Sequence, residues 1–323
     1  MKILVAGGAG YIGSCCTEYL LDEGHEVVVF DSLVKGHRQA VDGRAVLIEG
    51  DLADAGAIAA ALAVHRPEGI IHFAAFIEVG ESMQDPGRYF RNNIACGLNL
   101  LEAAVKHGVR KVVFSSTAAV YSMPDVVPIP ESAPTRPVNA YGESKLIFER
   151  ILSWYGRIYG LGTTALRYFN AAGATAAHGE DHHPESHLIP LVMQVAEGRR
   201  AEVTIFGNDY PTPDGTCIRD YVHVLDLAQA HLLALQSDVN GSFNLGSGSG
   251  HSVREVIETV RRVTGRPLAV VEAPRRPGDP PRLVSDSQAA RRVLGWQPAY
   301  DDLERIVDSA WRWRCRFPGG YAG

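Results

Sequence analysis

"KILVAGGAGYIGS" (residues 2–14) sets a short apolar run directly against a glycine-rich turn. "KILVAG" (2–7) reads as a buried strand, and "YIGSCCTEYLLDEG" (11–24) reads as the helix that follows it. Between them Gly7, Gly10 and Gly13 stand at G-x-x-G-x-x-G spacing, with Gly8 making the turn denser. Glycines there let the backbone approach a pyrophosphate, which sits on the free N–H groups and positive dipole end of a helix N-terminus. A glycine pattern alone is weak, but its place after a first strand makes it specific. Asp31 closes a second apolar run, "EVVVFD" (26–31). A carboxylate at that point accepts hydrogen bonds from the adenosine ribose and repels a 2′-phosphate. Neither Ser32 nor Leu33 is an arginine, so NAD is expected rather than NADP.

Outward from this turn the same alternation continues. "GIIHFAA" (69–75), "KVVFSS" (111–116) and "TTALRYFN" (163–170) read as further buried parallel strands. Between them lie the helical patterns "AGAIAAALAVH" (55–65), "RYFRNNIACGLNLLEAAVKHG" (88–108) and "SKLIFERILSWYGRIYG" (144–160). Strand and helix in repetition predict an α/β fold, a doubly wound parallel Rossmann sheet over residues 1–170. Beyond Asn170 the chain becomes loop-like and rich in His, Gly, Ala and Pro, then mixes short strands with helices. Residues 171–323 are therefore expected to form a smaller α+β substrate-binding domain, with elements around 219–245 returning to the first.

Composition narrows the function. The 323 residues are 46 % hydrophobic and 21 % charged, as in ordinary globular chains, and the net charge of −6 argues against a nucleic-acid partner. No apolar run reaches the roughly 18 residues of a membrane span, and no signal-peptide cleavage pattern follows the first strand. Cys15, Cys16, Cys96, Cys217 and Cys315 are odd in number and contain no C-x-x-C, so reduced, buried thiols in a cytoplasmic protein are expected.

The chemistry is carried by "NAYGESKL" (139–146). Tyr141 and Lys145 are one helical turn apart and so share a face. The pair opens a helix just after a strand and its loop, at the carboxyl edge where such sheets bind ligands. A neighbouring cation lowers a phenol's pKa by about 1–3 units, and the positive nicotinamide of oxidised NAD would add to Lys145. Tyr141 is thus a candidate general base. Gly142, between the two, costs helix stability and is expected to leave room for cofactor and sugar against the helix.

With "SSTAAVY", "RYFN", "FGNDYPTPDGTCIRDYVHV", "NLGSG" and "APRRPGD" added, the chain resembles the extended short-chain dehydrogenase/reductase family from end to end, and within it the UDP-glucose 4-epimerases. The resemblance implies interconversion of UDP-glucose and UDP-galactose: oxidation at C4 by bound NAD, rotation of the 4-keto sugar, and reduction from the other face. It makes Tyr141, Lys145 and Thr117 the catalytic set, with Thr117 bonding the sugar 4-oxygen. It extends the cofactor contacts from Gly7, Gly10, Gly13 and Asp31 to Tyr11, Ile12, Asp51, Leu52, Phe73, Ala74, Asn92 and Phe169, with Tyr141 and Lys145 shared. Beside Thr117 and Tyr141, it points to Asn170, His187, Leu188, Phe206, Arg219, Arg276 and Asp279 for the UDP-sugar. Arginine suits a diphosphate because its guanidinium forks onto two oxygens. A homodimer through helices matching 86–107 and 144–159 is also implied.

Two departures stand out. Ile77 occupies a position where many relatives carry a cofactor-reaching lysine, and Glu78 puts a negative charge near a diphosphate. The run "HGEDHHPESH" (178–187) invites a metal reading, but the related family loop holds no catalytic metal, and none is expected. A nucleotide-sugar dehydratase would carry an Asp-Glu pair where Ala118 and Ala119 stand. A non-catalytic NAD sensor on this fold would be expected to have lost Tyr141 or Lys145. The sugar is the open question: Leu283 falls at the family's gate against N-acetyl groups and favours plain hexoses, with UDP-pentoses also possible.

Overall fold

A computed structural model describes residues 1–121, 123–276 and 278–322. Seven parallel strands form the main sheet: β1 (Lys2–Ala6), β2 (Glu26–Asp31), β3 (Val46–Glu49), β4 (Gly69–His72), β5 (Lys111–Thr117), β6 (Gly162–Tyr168) and β7 (Gly241–Leu245). Their order is β7-β6-β5-β4-β1-β2-β3, so the winding reverses between β1 and β4. The doubly wound parallel sheet expected from the alternation is present.

The continuous apolar runs exist because both faces of the sheet are covered. Ile3, Val5, Val29, Ile71 and Val113 face one layer, where α1 (Tyr11–Asp22) supplies Cys16 and Leu20, and a helix over Val224–Gln236 supplies Leu227 and Ala230. Leu4, Ala6, Phe30, Ile70 and Phe114 face the other. There α2 (Ala55–His65), α3 (Cys96–Lys106) and α4 (Ala140–Tyr159) add Ile58, Leu62, Leu100, Phe148 and Leu152. A π-helical turn, Arg91–Ala95, leads into α3. Such turns re-aim side chains and are frequent at functional sites.

β7 lies at the sheet edge beside β6, although "SFNLGS" reads locally like the strands of the second half. Elsewhere after Asn170 the chain builds a smaller region. Its two-stranded pair Val203–Phe206 with Val270–Ala273 packs among helices Leu188–Ala196, Val253–Thr264 and Leu303–Arg316 over a separate core centred on Val192, Ile205, Val260 and Ile306. Short strands Ile218–Arg219, His251–Ser252 and Arg282–Leu283 join this region to the sheet's edge. Asp220 ties the junction together: its buried carboxylate accepts from Ser247 N, Gly248 N and Ser285 N at 2.7, 3.1 and 2.9 Å. Among the described residues no helix is long and apolar enough to cross a membrane. Cys15, Cys16 and Cys217 are buried free thiols, while Cys315 is exposed, contrary to the expectation that all are buried.

Candidate active site

A cleft of about 500 Å³ opens along the carboxyl edge of the sheet, at the point where the winding reverses. Parallel strands all deliver their last residues to this edge. β1 runs into Gly7, Gly10 and the start of α1 with Tyr11, Ile12 and Gly13; β2 ends on Asp31. β3 is followed by Asp51 and Leu52, β4 by Phe73 and Ala74, and β6 by Phe169 and Asn170. Asn92 comes from the π-helical turn, Thr117 closes β5, and α4 contributes Tyr141 and Lys145. All fourteen residues expected at the cofactor line this one cleft.

The glycine turn suits a dinucleotide. Gly7 has φ +83°, and a Cβ on it would lie 2.5 Å from Ala74 N. A Cβ on Gly13 would lie 2.1 Å from Gly7 O. These two are glycines because turn, helix and neighbouring loop pack backbone to backbone. Gly10 differs: its φ of −83° is ordinary, and a Cβ there would meet nothing nearer than Gly7 O at 3.6 Å. The protein has no need of glycine at that point, but a ligand lying on the backbone does. Gly10 also caps α1 without a side-chain bond and with no acidic residue in the first turn, which leaves the helix N–H groups open to an anion. Asp31 accepts from Ala9 N and Leu33 N, both at 2.9 Å, so its orientation is fixed while each oxygen keeps a lone pair. Burial raises its carboxyl pKa against the pull of those two N–H groups.

Asn139 caps α4 by accepting from Gly142 N at 2.8 Å, which starts the helix at Ala140 and places Tyr141 in its first turn. Lys145, 2 % exposed, donates to Ser115 O at 2.8 Å, and its Nζ lies 5.9 Å from the Tyr141 ring centre. Thr117 Oγ1 accepts from Ala119 N at 3.1 Å, leaving its own proton free to donate. Burial pushes the Tyr141 phenol up to about 12; the Thr117 hydroxyl pulls it down and the Glu78 carboxylate pushes it further up. Burial lowers Lys145 to about 7, opposed by Glu149. Burial therefore keeps the phenol protonated and leaves the lysine only partly charged near neutral pH, so the expected phenolate needs positive charge beyond Lys145. Desolvation outweighs the pairing.

Gly142 also departs from expectation. A Cβ on it would lie 2.4 Å from Ala119 O and 3.0 Å from Ala119 C. The close approach comes from the chain's own backbone, in the 3-10 turn Ala118–Val120 beside Thr117, and not from a ligand. Gly142→Ala is expected to cost about 1–3 kcal/mol by overpacking, measured by denaturant unfolding, and to reduce turnover by displacing Thr117 from Tyr141.

The expected substrate side comes together less completely. Thr117, Tyr141, Asn170, His187 and Arg219 line the cleft; Leu188, Phe206, Arg276 and Asp279 do not. Leu188 packs into the smaller region's core. Arg276 lies 3.9 Å over the Phe206 ring, and Asp279 pairs with Arg219, which does line the cleft. Pro277 of "APRRPGD" lies outside the described residues.

Sequence reasoning passed over a pair that the fold brings together. Lys35, from the loop after β2, donates to Glu78, from the loop after β4, at 3.0 Å, and both line the cleft. Burial works against the Glu78 charge, yet Lys35 and nearby N–H groups hold its carboxyl below the ordinary value. The signal was present, since Glu78 is an odd charge beside a diphosphate site, but its partner is 43 positions away.

The chain matches the model of the NAD dependent epimerase/dehydratase family over residues 3–246. It is 49 % identical to a UDP-glucose 4-epimerase of Lacticaseibacillus casei, over 99 % of each chain. It is similar to the crystal structure of a UDP-glucose 4-epimerase from Brucella ovis in complex with NAD, at 44 % identity and TM-score 0.93, covering 96 % of this chain and 97 % of that one. The same TM-score, 0.93, relates it to the Bifidobacterium longum UDP-glucose 4-epimerase in complex with NAD+ and UDP, at 36 % identity over 99 % of this chain and 100 % of the other.

Proposed function

The chain belongs to the NAD-dependent epimerase/dehydratase family, and from that premise we propose that it interconverts UDP-glucose and UDP-galactose at C4. The observation that carries this reading is the convergence of Thr117, Tyr141 and Lys145 on the same cleft as the Gly7–Gly13 cradle. NAD, when bound, supplies a hydride acceptor and donor for C4 and, in its oxidised form, a positive charge. Gly7, Gly10 and the α1 N-terminus hold its diphosphate, Asp31 its adenosine ribose, and Lys145, with two N–H groups left after Ser115 O, its second ribose.

In this reading Tyr141 Oη takes the proton of the sugar 4-hydroxyl and later returns it, while Thr117 donates to the 4-oxygen and fixes its distance from the phenol. Positive charge beside the phenol must offset its burial for it to act as a base. Arg219, paired with Asp279, and Asn170 hold the UDP side, leaving the sugar free to turn. Residues 1–170, with 219–245, form the dinucleotide half and 171–323 the UDP-sugar half. Trp154, Ile158 and Tyr159, each more than half exposed on α4, support a homodimer through that helix. Free thiols, two of them adjacent, fit a cytoplasmic setting.

Leu283 lines the cleft and packs with Val120, Ile129 and Phe169, which favours plain hexoses. Offered UDP-galactose, UDP-N-acetylgalactosamine and UDP-arabinose in parallel without added reductant, the enzyme is expected to turn over UDP-galactose fastest. No turnover of UDP-galactose would sink the reading. Because the Glu78 charge raises the Tyr141 pKa, Glu78→Gln is expected to move the rising limb of the kcat–pH profile to lower pH. An unmoved limb would separate Glu78 from the base.

A further inference from the structure

Of a cluster in the loop 178–187, the proposed reaction uses only His187. We propose that Glu180, His182, Glu185 and His187 form a binding site for one divalent cation of the zinc class. One donor atom from each lies within 4.8 Å of all the others. Both carboxylate side chains are nearly buried, at 8 % and 6 % exposure, while His187 is about half exposed at 47 %.

Charge and geometry together select the ligand. Two carboxylates held this close call for two positive charges, which two imidazolium ions or one divalent cation can supply. His182 Nδ1 lies 3.1 Å from Glu180 Oε1, and His187 Nδ1 is hydrogen-bonded to the same oxygen. Without an ion the two rings, 5.5 Å apart, pair as imidazolium ions with Glu180 and Glu185, whose carboxylates raise both pKa values against burial; a divalent cation would have to displace those protons. A single central cation leaves both imidazoles neutral and engages all four donors. Zinc takes nitrogen and oxygen at about 2.0–2.2 Å, which sets tetrahedral donors about 3.4 Å apart. The donor separations, 3.1 Å between His182 Nδ1 and Glu180 Oε1, 3.5 Å between His187 Nδ1 and Glu185 Oε1, a shorter His187–Glu180 contact and none above 4.8 Å, straddle that spacing, so the side chains would shift on binding. Two imidazoles with two carboxylates favour zinc and its neighbours over magnesium or calcium.

The spacing i, i+2, i+5, i+7 follows no helix, so the four residues show no helical ligand pattern in the sequence. His183 is 74 % exposed and faces Asp181 at 3.7 Å, outside the cluster. The Tyr11 ring packs edge-on to His182 at 6.1 Å, so the ion would fasten this loop to the start of α1 and stiffen one wall of the cleft. The ion would hold the loop in place, in a wall of the cleft that His182 and His187 also line.

The test uses the full-length protein, stripped with a chelator and titrated with Zn2+ against a competing chromophoric chelator, with thermal unfolding in parallel. One equivalent is expected, with a rise in Tm. His187→Ala and Glu180→Gln are expected to weaken uptake by more than about 100-fold, while His183→Ala binds like the parent. Should Glu180→Gln fail to fold, His182→Ala takes its place. Absence of uptake by the parent protein, or equal uptake by His187→Ala, overturns the proposal.

Discussion

Tyr141→Phe is expected to lower kcat by about 10²–10⁴-fold, the usual contribution of a positioned general acid–base group, with the fold and the retention of NAD unchanged. Phenylalanine keeps the ring that packs in the first turn of α4 and removes only the oxygen. Lys145 stays anchored to Ser115 O, so its hold on the cofactor is not disturbed. The split between chemistry and binding is therefore the signature: kcat falls, KM changes little, and protein-bound NAD is still recovered. The burial of both groups sharpens this expectation. With the phenol near 12 and the ammonium near 7, the phenol stays protonated and the lysine is only partly charged at neutral pH, so the phenol's reactivity depends on where positive charge lies. Full activity in the variant would refute the role given to Tyr141.

The second large effect lies beneath the site. Glu149, on α4, is bound by Arg167 Nε at 2.9 Å and Nη2 at 2.6 Å, and Ser242 Oγ reaches it at 3.2 Å. Ser116, one residue before Thr117, also donates to it. The ion-pair side chains are only 8 % and 7 % exposed. Arg167 continues to Tyr121 Oη at 2.7 Å, and Tyr121 to Asn244 at 2.8 Å, so one buried chain of contacts joins α4, β5, β6 and β7. Glu149→Gln strands a buried guanidinium. The expected loss is about 3–5 kcal/mol, read as a lower midpoint in denaturant at unchanged m-value. Replacing both partners by apolar residues of similar volume is expected to recover part of that loss, because the unpaired charge is the costly element. Equal instability of the double variant would mean that the pair itself contributes more than its desolvation costs.

How far the sequence could be read follows from where interactions are local. β1, β2, β4, β5 and β6 are legible as unbroken apolar runs because helices cover both faces of the sheet. β3, "VLIE", escapes notice: it is a short edge strand with both end residues exposed. The cofactor side is legible because parallel strands send their carboxyl ends to one edge, so residues just after each strand share a cleft. The substrate side is assembled by loops, and loop residues choose partners that spacing does not reveal. Arg276 settling on Phe206, Lys35 reaching Glu78, and Ala119 O filling the space beside Gly142 are all products of folding. Electrostatics were only half legible for a related reason. The i, i+4 pairing of Tyr141 with Lys145 is visible in sequence, whereas the burial that dominates both pKa values is not.

The central claim is that a hydrogen leaves C4 and returns to the same carbon within one site, with Tyr141 handling only the hydroxyl proton. UDP-galactose carrying deuterium at C4, incubated with the enzyme in ordinary water, tests it directly. The UDP-glucose formed is predicted to keep the deuterium at C4. Product that has exchanged its C4 label for solvent hydrogen would contradict the account.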